Sequence, residues 1–102
     1  MEALVKISKA FSDLNRLRIV ALIQRESRLC VCELCDTLKL SQPLVSRHLK
    51  QLKAAGILES FKEGKWMLYA LKESENPLVD AYLRELKAFE NELGTLCSCE
   101  SR

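Results

Sequence analysis

Residues 31–55 read VCELCDTLKLSQPLVSRHLKQLKAA, and this stretch decides the fold. It holds two segments with helical spacing of apolar residues, joined by a short turn at residues 39–42. Ser41 is a typical N-cap residue, Pro43 suits the first turn of the helix that follows, and Gly56 supplies a left-handed stop. The stretch therefore predicts a helix-turn-helix over about residues 31–55.

The segments on either side predict the rest of the architecture. Two amphipathic helices precede the motif, over about residues 3–12 and 14–24. Residues 57–71 contain aromatic side chains around a Gly64 turn and predict a β-hairpin. Pro77 opens a last helix that runs to about residue 96. The 102 residues are thus expected to form one domain over 1–102. It is mainly α with a β-hairpin, a winged helix-turn-helix of about five helices and a two-stranded wing.

The second helix of the motif has one polar face suited to nucleic acid. At 100° per residue, Val45, Leu49 and Leu52 form a narrow apolar stripe that must face the core. Residue types that bond to base edges and phosphates lie on the other side. The DNA-contacting set predicted for this helix is Ser41, Gln42, Pro43, Ser46, Arg47, Lys50 and Lys53.

Two further features concern the same surface. Lys62 and Lys65 flank the hairpin turn, where a wing would reach the phosphate backbone, although tip lysines also serve solubility alone. His48, the only histidine, lies beside the apolar stripe. A structural hydrogen bond is its favoured role, a DNA contact the second and a metal ligand the third.

Charge is distributed unevenly along the chain. The net charge is only +2, but residues 37–72 hold seven Lys or Arg against two Asp or Glu, while residues 73–102 are acidic. A basic middle is the electrostatic footprint expected of a surface that binds a polyanion, although it is also compatible with a solvated face.

Three of the five cysteines fall within six residues. Cys30, Cys32 and Cys35 lie at the start of the motif, with no His between them. Three thiolates favour a soft guest, and a structural zinc site would want a fourth ligand. A three-coordinate species such as As(III) or Sb(III) needs none. Cys97 and Cys99 are accessory candidates: they add ligands, form a second site across a dimer, or play no part.

The spacing of these cysteines poses a geometric conflict. Cys32 and Cys35 share one face of a helix, whereas Cys30 and Cys32 would lie about 200° apart on it. Either Cys30 precedes the helix, or the first turn unwinds when all three converge on one atom. We therefore expect guest binding to deform the element that supports the DNA-reading helix.

The first and last helices predict a homodimer. Apolar residues recur in the last helix at intervals of three and four, and the first helix has a shorter stripe of the same kind. Such a seam can also lie on the chain's own core, but in so short a chain it favours a two-fold dimer. The predicted contacts are Leu4, Ile7, Phe11, Val79, Tyr82, Leu86, Phe89 and Leu93 over helices 3–12 and 77–96.

Other classes of protein are disfavoured. No run of 18 apolar residues exists, and the N-terminus lacks a signal peptide, so a cytoplasmic location is expected. The Cys32-Glu33-Leu34-Cys35 segment lacks the βαβ context of a thiol oxidoreductase, and an enzyme is not expected. A pure dimerisation module would not need the polar face of residues 42–53.

The chain resembles the ArsR/SmtB family of metal-responsive winged-helix repressors over nearly its whole length. Residues 29–35, LCVCELC, are similar to the arsenic-sensing box of its arsenic repressors, and residues 41–49, SQPLVSRHL, to its recognition helix. The resemblance implies an apo-dimer on a palindromic operator, released by arsenite or antimonite at Cys30, Cys32 and Cys35. The metalloid is then an inducer, and no cofactor is required.

Two other sensing chemistries stay open on the same scaffold. Cd(II), Pb(II) or Zn(II) could be held by four thiols, or an oxidant could form a Cys30–Cys32 or Cys32–Cys35 disulfide. The family's zinc site uses Asp and His on the last helix. This chain has no His there, so that site is not expected.

Overall fold

The computed structural model describes residues 1–96. Helices dominate, and three short strands lie among them. The elements are α1 (Glu2–Ala10), α2 (Leu14–Glu26), β1 (Arg28–Cys30), α3 (Val31–Leu38), α4 (Gln42–Ala54), β2 (Leu58–Glu63), β3 (Trp66–Leu71), α5 (Pro77–Leu86) and a 3-10 helix (Lys87–Leu93). The predicted winged helix-turn-helix is confirmed, with α3 and α4 as its helix pair.

Side-chain caps fix where the helices begin. Asp13 Oδ1 accepts a hydrogen bond from the backbone N–H of Arg16 at 3.0 Å, at the start of α2. Ser41 Oγ accepts from the N–H of Leu44 at 3.4 Å and caps α4, as predicted. Such caps satisfy donors that a helix's first turn leaves without a partner. The recognition helix therefore starts at the residue that the sequence indicates.

The sheet contains one strand more than predicted. Strands β2 and β3 form the expected hairpin, and β1 pairs antiparallel with the other edge of β3, giving the order β1-β3-β2. Cys30 lies opposite Leu68 in this ladder, and Glu63 lies opposite Trp66 in the hairpin. The prediction of a two-stranded wing missed β1 because three residues between two helices are too few to show alternation.

The core lies between α2, the helix-turn-helix and the sheet. It is built from fully buried aliphatic side chains of every layer, which include Ile19, Leu22, Ile23, Leu29, Leu34, Leu49, Leu52, Ile57 and Leu68. The apolar stripe predicted for α4 faces this core. Because that stripe is anchored, the opposite face of α4 must point to solvent.

The last helix differs from the prediction. The α-helix ends at Leu86 and continues as a 3-10 helix over Lys87–Leu93, rather than running as one α-helix to about residue 96. A 3-10 helix has about three residues per turn, so a heptad spacing does not stay on one face beyond that point. The continuous seam expected from the sequence is therefore interrupted.

Most of the predicted dimer contacts pack inside the chain. Phe11 and Tyr82 stack with ring centroids 4.2 Å apart, and Ile7, Val79, Leu86 and Leu93 belong to the same buried cluster. In the single chain these residues pack against α2 and its neighbours, and their role in a dimer interface stays a prediction. The predicted contacts that remain exposed are Leu4 and Phe89, and Val5 and Leu14 are exposed as well.

Membrane insertion has no support in the helices that the structure describes. Within residues 1–96, no helix combines the length and the apolar character that a membrane span requires.

Candidate thiol groove and DNA-reading surface

A groove of about 370 Å³ collects the three clustered cysteines beside the DNA-reading unit. Its walls come from the end of β1, from α3, from the first residue of α4 and from the start of β3. We call it the thiol groove; it is lined by Cys30, Val31, Cys32, Cys35, Asp36, Gln42, Trp66 and Met67. The fold thus brings the predicted thiols together and sets them against both the recognition helix and the wing.

Cys30 lies just before α3 and belongs to β1. It occupies the N-cap position, and Glu33 Oε1 accepts a hydrogen bond from its backbone N–H at 3.0 Å within a capping box. The residue is 2% exposed. Burial raises the pKa of its thiol, and the nearby Glu33 carboxylate adds to that rise. Of the two geometries that the cysteine spacing allowed, the structure adopts the one in which Cys30 precedes the helix.

Cys32 and Cys35 share the outer face of α3, as their spacing predicts. Cys32 is exposed, and its Sγ lies 3.6 Å from Asp36 Oδ2, within reach of a thiol donor. Cys35 is half-buried. Burial raises the pKa of its thiol, and the Asp36 carboxylate contributes in the same direction. At neutral pH, Cys30 and Cys35 are therefore held as neutral thiols.

The thiols are neighbours, but they are not arranged as a closed metal site. Among residues 1–96, no group of three or more His, Cys, Asp or Glu side chains is placed to hold a metal ion. The two accessory candidates, Cys97 and Cys99, lie outside the described residues. The donor set suits a soft three-coordinate guest, whereas capture requires the sulfurs to move closer to one another.

The predicted DNA face of α4 is exposed along its length. Every residue of that set is at the surface: Ser41, Gln42, Pro43, Ser46, Arg47, Lys50 and Lys53. Lys53 differs in one respect, since its Nζ donates to Ser60 Oγ of β2 at 2.6 Å. This bond ties the end of the recognition helix to the wing.

The wing presents its two lysines at the hairpin tip. Lys62 and Lys65 are both exposed, on either side of the turn that Gly64 permits with φ of +62°. Lys65 Nζ lies 5.4 Å from the centre of the Trp66 ring, a cation–π distance. Trp66 therefore contacts a tip lysine on one side and lines the thiol groove on the other.

His48 is a buried structural residue and not part of the exposed face. Its Nδ1 lies 3.3 Å from Arg16 Nη1, so the ring must accept from the guanidinium in its neutral form. Burial lowers the pKa of His48, and the positive charges of Arg16 and Arg47 act in the same direction. With the residue 7% exposed, the predicted option of a DNA contact by His48 has no geometric support.

Sequence reasoning missed the residues that connect the site to its surroundings. Trp66 and Met67 line the thiol groove, Glu33 closes the cap of Cys30, and Arg16 contacts α4. The sequence signal for Glu33 is the capping-box spacing, in which a Glu follows the N-cap residue by three positions. Cys30 is not a usual N-cap residue, so this signal is weak. The other contacts join segments that are distant in the chain, and no local pattern announces them.

The known proteins that this chain resembles in sequence are regulators of transcription. A family model described as bacterial regulatory protein, arsR family, matches residues 13–60. The arsenic resistance transcriptional regulator ArsR1 of Pseudomonas putida is 47% identical over 78 residues, which cover 76% of this chain and 61% of the relative. The arsenical resistance operon repressor of Escherichia coli K12 is 45% identical over 67 residues, 66% of this chain and 57% of the relative. The chain thus spans about three fifths of the length of these two relatives.

Solved structures agree with the fold. The transcriptional regulator HlyU of Vibrio vulnificus superposes with a TM-score of 0.71 at 34% identity, covering 84% of this chain and 85% of that one. These three proteins are regulators or repressors of transcription rather than enzymes. The helix-turn-helix, the wing and these matches all lead to one assignment. The chain belongs to the arsR family of bacterial regulatory proteins.

Proposed function

We propose that this chain is a transcriptional repressor that binds operator DNA as a homodimer and is released by trivalent arsenic or antimony. The inducer is bound by Cys30, Cys32 and Cys35, and DNA is bound by α4 and the wing. The relatives from P. putida and E. coli support the arsenical part of the proposal. A two-fold dimer would read a palindromic operator, one half-site for each α4.

One observation carries the proposal: the thiol groove contains the three thiols together with Gln42 and Trp66. Gln42 is the first residue of α4, where a recognition helix meets bases, and Trp66 begins the second wing strand. A guest in this groove contacts both DNA-reading elements of the same protomer. Only one layer of side chains therefore separates a bound guest from the elements that contact DNA.

The protonation state of the thiols favours arsenite over a divalent cation. Capture of neutral As(OH)₃ replaces three As–O bonds by three As–S bonds, and each thiol proton leaves with a hydroxyl group as water. No net proton is released in this exchange. A divalent cation needs thiolates and must displace each proton into solution. Because the pKa values of Cys30 and Cys35 are raised, that displacement is costly at neutral pH.

Release follows from the movement that capture demands. The described side chains form no closed cluster, so three bonds to one atom must draw the sulfurs together. Cys30 is held by the Glu33 cap and by its place opposite Leu68 in the sheet. Pulling on Cys30 therefore strains the start of α3 and the β1–β3 ladder, and both elements border α4 or the wing. The predicted unwinding of α3 becomes one of two routes, since Cys30 already stands outside the helix.

The dimer would use the apolar surface that α1, the start of α2 and the 3-10 helix leave exposed. Leu4, Val5 and Phe89 are each about half exposed, and Leu14 is exposed more fully. Contiguous exposed apolar surface marks an interaction site, and Leu14 and Phe89 line one apolar groove. Burial of these residues between two copies would give the two-fold arrangement that the proposal requires.

The test measures operator binding with and without arsenite. A duplex is first selected from a random pool by the metalloid-free protein, and its binding is followed by fluorescence anisotropy in reducing buffer. We expect arsenite to weaken binding roughly 5- to 150-fold, the usual range of coupling between two sites. Cys32→Ser should bind the duplex normally and stay bound, because Cys32 is exposed and contributes little to the core.

A matched control separates the clustered thiols from Cys97 and Cys99. The double variant Cys97→Ser with Cys99→Ser should respond to arsenite as the parent does. An unchanged operator affinity of the parent in the presence of arsenite would contradict release. A response lost in the Cys97/Cys99 variant and retained in Cys32→Ser would move the site to the other end of the chain.

A further inference from the structure

A second groove, away from the thiols, is basic. It has a volume of about 220 Å³ and lies between α1 and the end of α4. We call it the lysine groove; it is lined by Lys6, Lys9, Ala10, Arg16, Gln51, Ala54 and Ala55. Among the described residues that line it, none carries a carboxylate. The residues that the sequence predicts for DNA contact include none of these three cations.

Arg16 is a fixed cation in the wall of this groove. Its Nε donates to the carbonyl of Ala10 at 2.8 Å, and its Nη2 donates to that of Lys9 at 3.0 Å. Its Nη1 donates to Gln51 Oε1 at 2.7 Å and also faces His48 Nδ1. These bonds use four of the five guanidinium N–H groups. Among the described residues, no acceptor is bonded to the fifth N–H group, which is on Nη2. The other bonds already fix the guanidinium in place, so a ligand that binds there costs little further side-chain entropy.

The lysine groove continues the predicted DNA face of α4. Gln51 is one helical turn from Arg47, and Ala54 is one turn from Lys50, so each pair shares a strip of the helix surface. Arg47 and Lys50 are both exposed. When a DNA duplex binds the first half of α4, its phosphate backbone is therefore expected to run along the lysine groove at the C-terminal end of that helix.

The lysine flank of α1 is separate from its apolar flank. Lys6 and Leu4 are two residues apart, so their side chains point about 200° apart around the helix. Lys6 and Lys9 are exposed, as is Leu4. A second copy of the chain packed over Leu4 therefore leaves Lys6 accessible, while Lys9, one helical turn from Val5, lies at the edge of that contact.

We infer that the lysine groove binds the phosphate backbone of operator DNA outside the base pairs that α4 reads. Lys6 and Lys9 neutralise phosphates as mobile charges, and the remaining N–H of Arg16 donates to a phosphate oxygen from a fixed position. The contact carries no sequence preference and sets the register of α4 on the duplex. This inference rests on the proposed DNA binding and adds α1 to the surface that performs it.

The test is the salt dependence of binding to the selected duplex. Neutralising one phosphate contributes about −0.9 to the slope of log affinity against log salt concentration. The double variant Lys6→Gln with Lys9→Gln should therefore have a slope less negative by roughly 1.8 for each protomer bound. Lys6→Arg with Lys9→Arg keeps the charges and should keep the parent slope. The matched control removes two exposed cations elsewhere, Arg84→Gln with Lys87→Gln, and should also keep it.

The outcomes distinguish this inference from the proposed function. If the parent binds DNA with a steep salt dependence and the Lys6/Lys9 glutamine variant has the same slope, the lysine groove makes no phosphate contact while DNA binding stands. If the Arg84/Lys87 variant changes the slope equally, the effect is net charge and the inference is wrong. If the parent selects no duplex at all, the proposed function fails together with the inference. In each variant, an unchanged circular dichroism spectrum verifies the fold.

Discussion

Cys30 and Leu68 face each other across the antiparallel β1–β3 ladder, and both are buried. The first thiol of the cluster is thereby part of the sheet that carries the wing. Trp66 begins the same strand two residues before Leu68 and lines the thiol groove. Events at the thiols should therefore be visible at the base of the wing.

The fluorescence of Trp66 should report guest capture without any DNA. Trp66 is the only tryptophan of the chain, so the signal comes from the groove alone. We expect a saturable change in its emission when arsenite is titrated into reduced protein. Cys35→Ser should abolish or greatly weaken the change, and Cys97→Ser with Cys99→Ser should preserve it. If the Trp66 emission of the parent protein does not change at arsenite concentrations that release DNA, arsenite binds outside the thiol groove.

Arsenite and cadmium should differ in their pH dependence. The pKa values of Cys30 and Cys35 are raised by burial, so both are neutral thiols through the neutral range. Arsenite exchange releases no net proton, and its affinity should change little between about pH 6 and about pH 8. Cadmium must displace the thiol protons of Cys30 and Cys35, so its affinity should rise steeply over the same interval. Titrations followed by Trp66 emission at several pH values measure both.

A steep rise for arsenite, parallel to that of cadmium, would show that the guest meets thiolates. The raised pKa values of Cys30 and Cys35 would then not explain a preference for the metalloid. A divalent metal ion would become the better-supported inducer for the thiol groove.

Protonation of His48 should destabilise the fold. Its pKa is lowered from 6.5, first by burial and then by Arg16 and Arg47, although Asp13 opposes the shift. As pH falls below 6.5, the unfolded chain takes up the proton first, so the free energy of unfolding decreases until the folded pKa is passed. Urea unfolding at about pH 7.5 and about pH 5 should show this loss.

The variant His48→Asn isolates the histidine contribution. Its amide oxygen can replace Nδ1 as the acceptor for Arg16, but it does not titrate, so the loss of stability between the two pH values should shrink. His48→Leu leaves the guanidinium without this acceptor and should cost about 1–3 kcal/mol at neutral pH. An equal loss in the parent and in His48→Asn would assign the pH dependence to other groups.

Phe89 should contribute to the dimer and not to the monomer core. It is 51% exposed in the single chain, unlike its neighbours in the predicted seam. Burial of a phenylalanine side chain is worth about 1.5–3 kcal/mol, so Phe89→Glu should weaken dimerisation by at least roughly tenfold. Sedimentation equilibrium measures the shift, and the circular dichroism spectrum should not change.

The exposed Phe61 of the wing provides the matched control for this substitution. Phe61→Glu adds the same charge far from α1 and the C-terminal part, and it should leave the dimer intact. Equal dissociation in the two variants would attribute the effect to charge, and a parent that is monomeric at all concentrations would remove the interface.

The helix-turn-helix could be predicted because its signals are local. Ser41, Pro43 and Gly56 mark the ends of α4, and one apolar stripe fixes which face reaches solvent. The C-terminal seam could not be read in the same way. A period of three and four describes a surface stripe and a core stripe equally well. In the single chain Phe11 stacks on Tyr82, so part of this stripe is covered from within.

The thiol site was predicted in part. Spacing placed Cys32 and Cys35 on one face and required a choice for Cys30, which the structure makes through β1. The partners Trp66 and Met67 come from a strand more than 30 residues away. Their approach depends on how the hairpin folds back over α3, which is a tertiary property that no spacing encodes.

The double duty of Cys30 limits how this protein can lose its response by mutation. A replacement at position 30 must cap a helix, fit a strand and fill a site that is 2% exposed, whereas the side chain at position 32 is exposed and lies beside Asp36 on the surface of α3. Bacteria selected for constant repression should therefore carry stable protein altered at Cys32. Lesions at Cys30 should instead lower the amount of repressor and relieve repression, so the two positions would yield opposite phenotypes in a genetic screen.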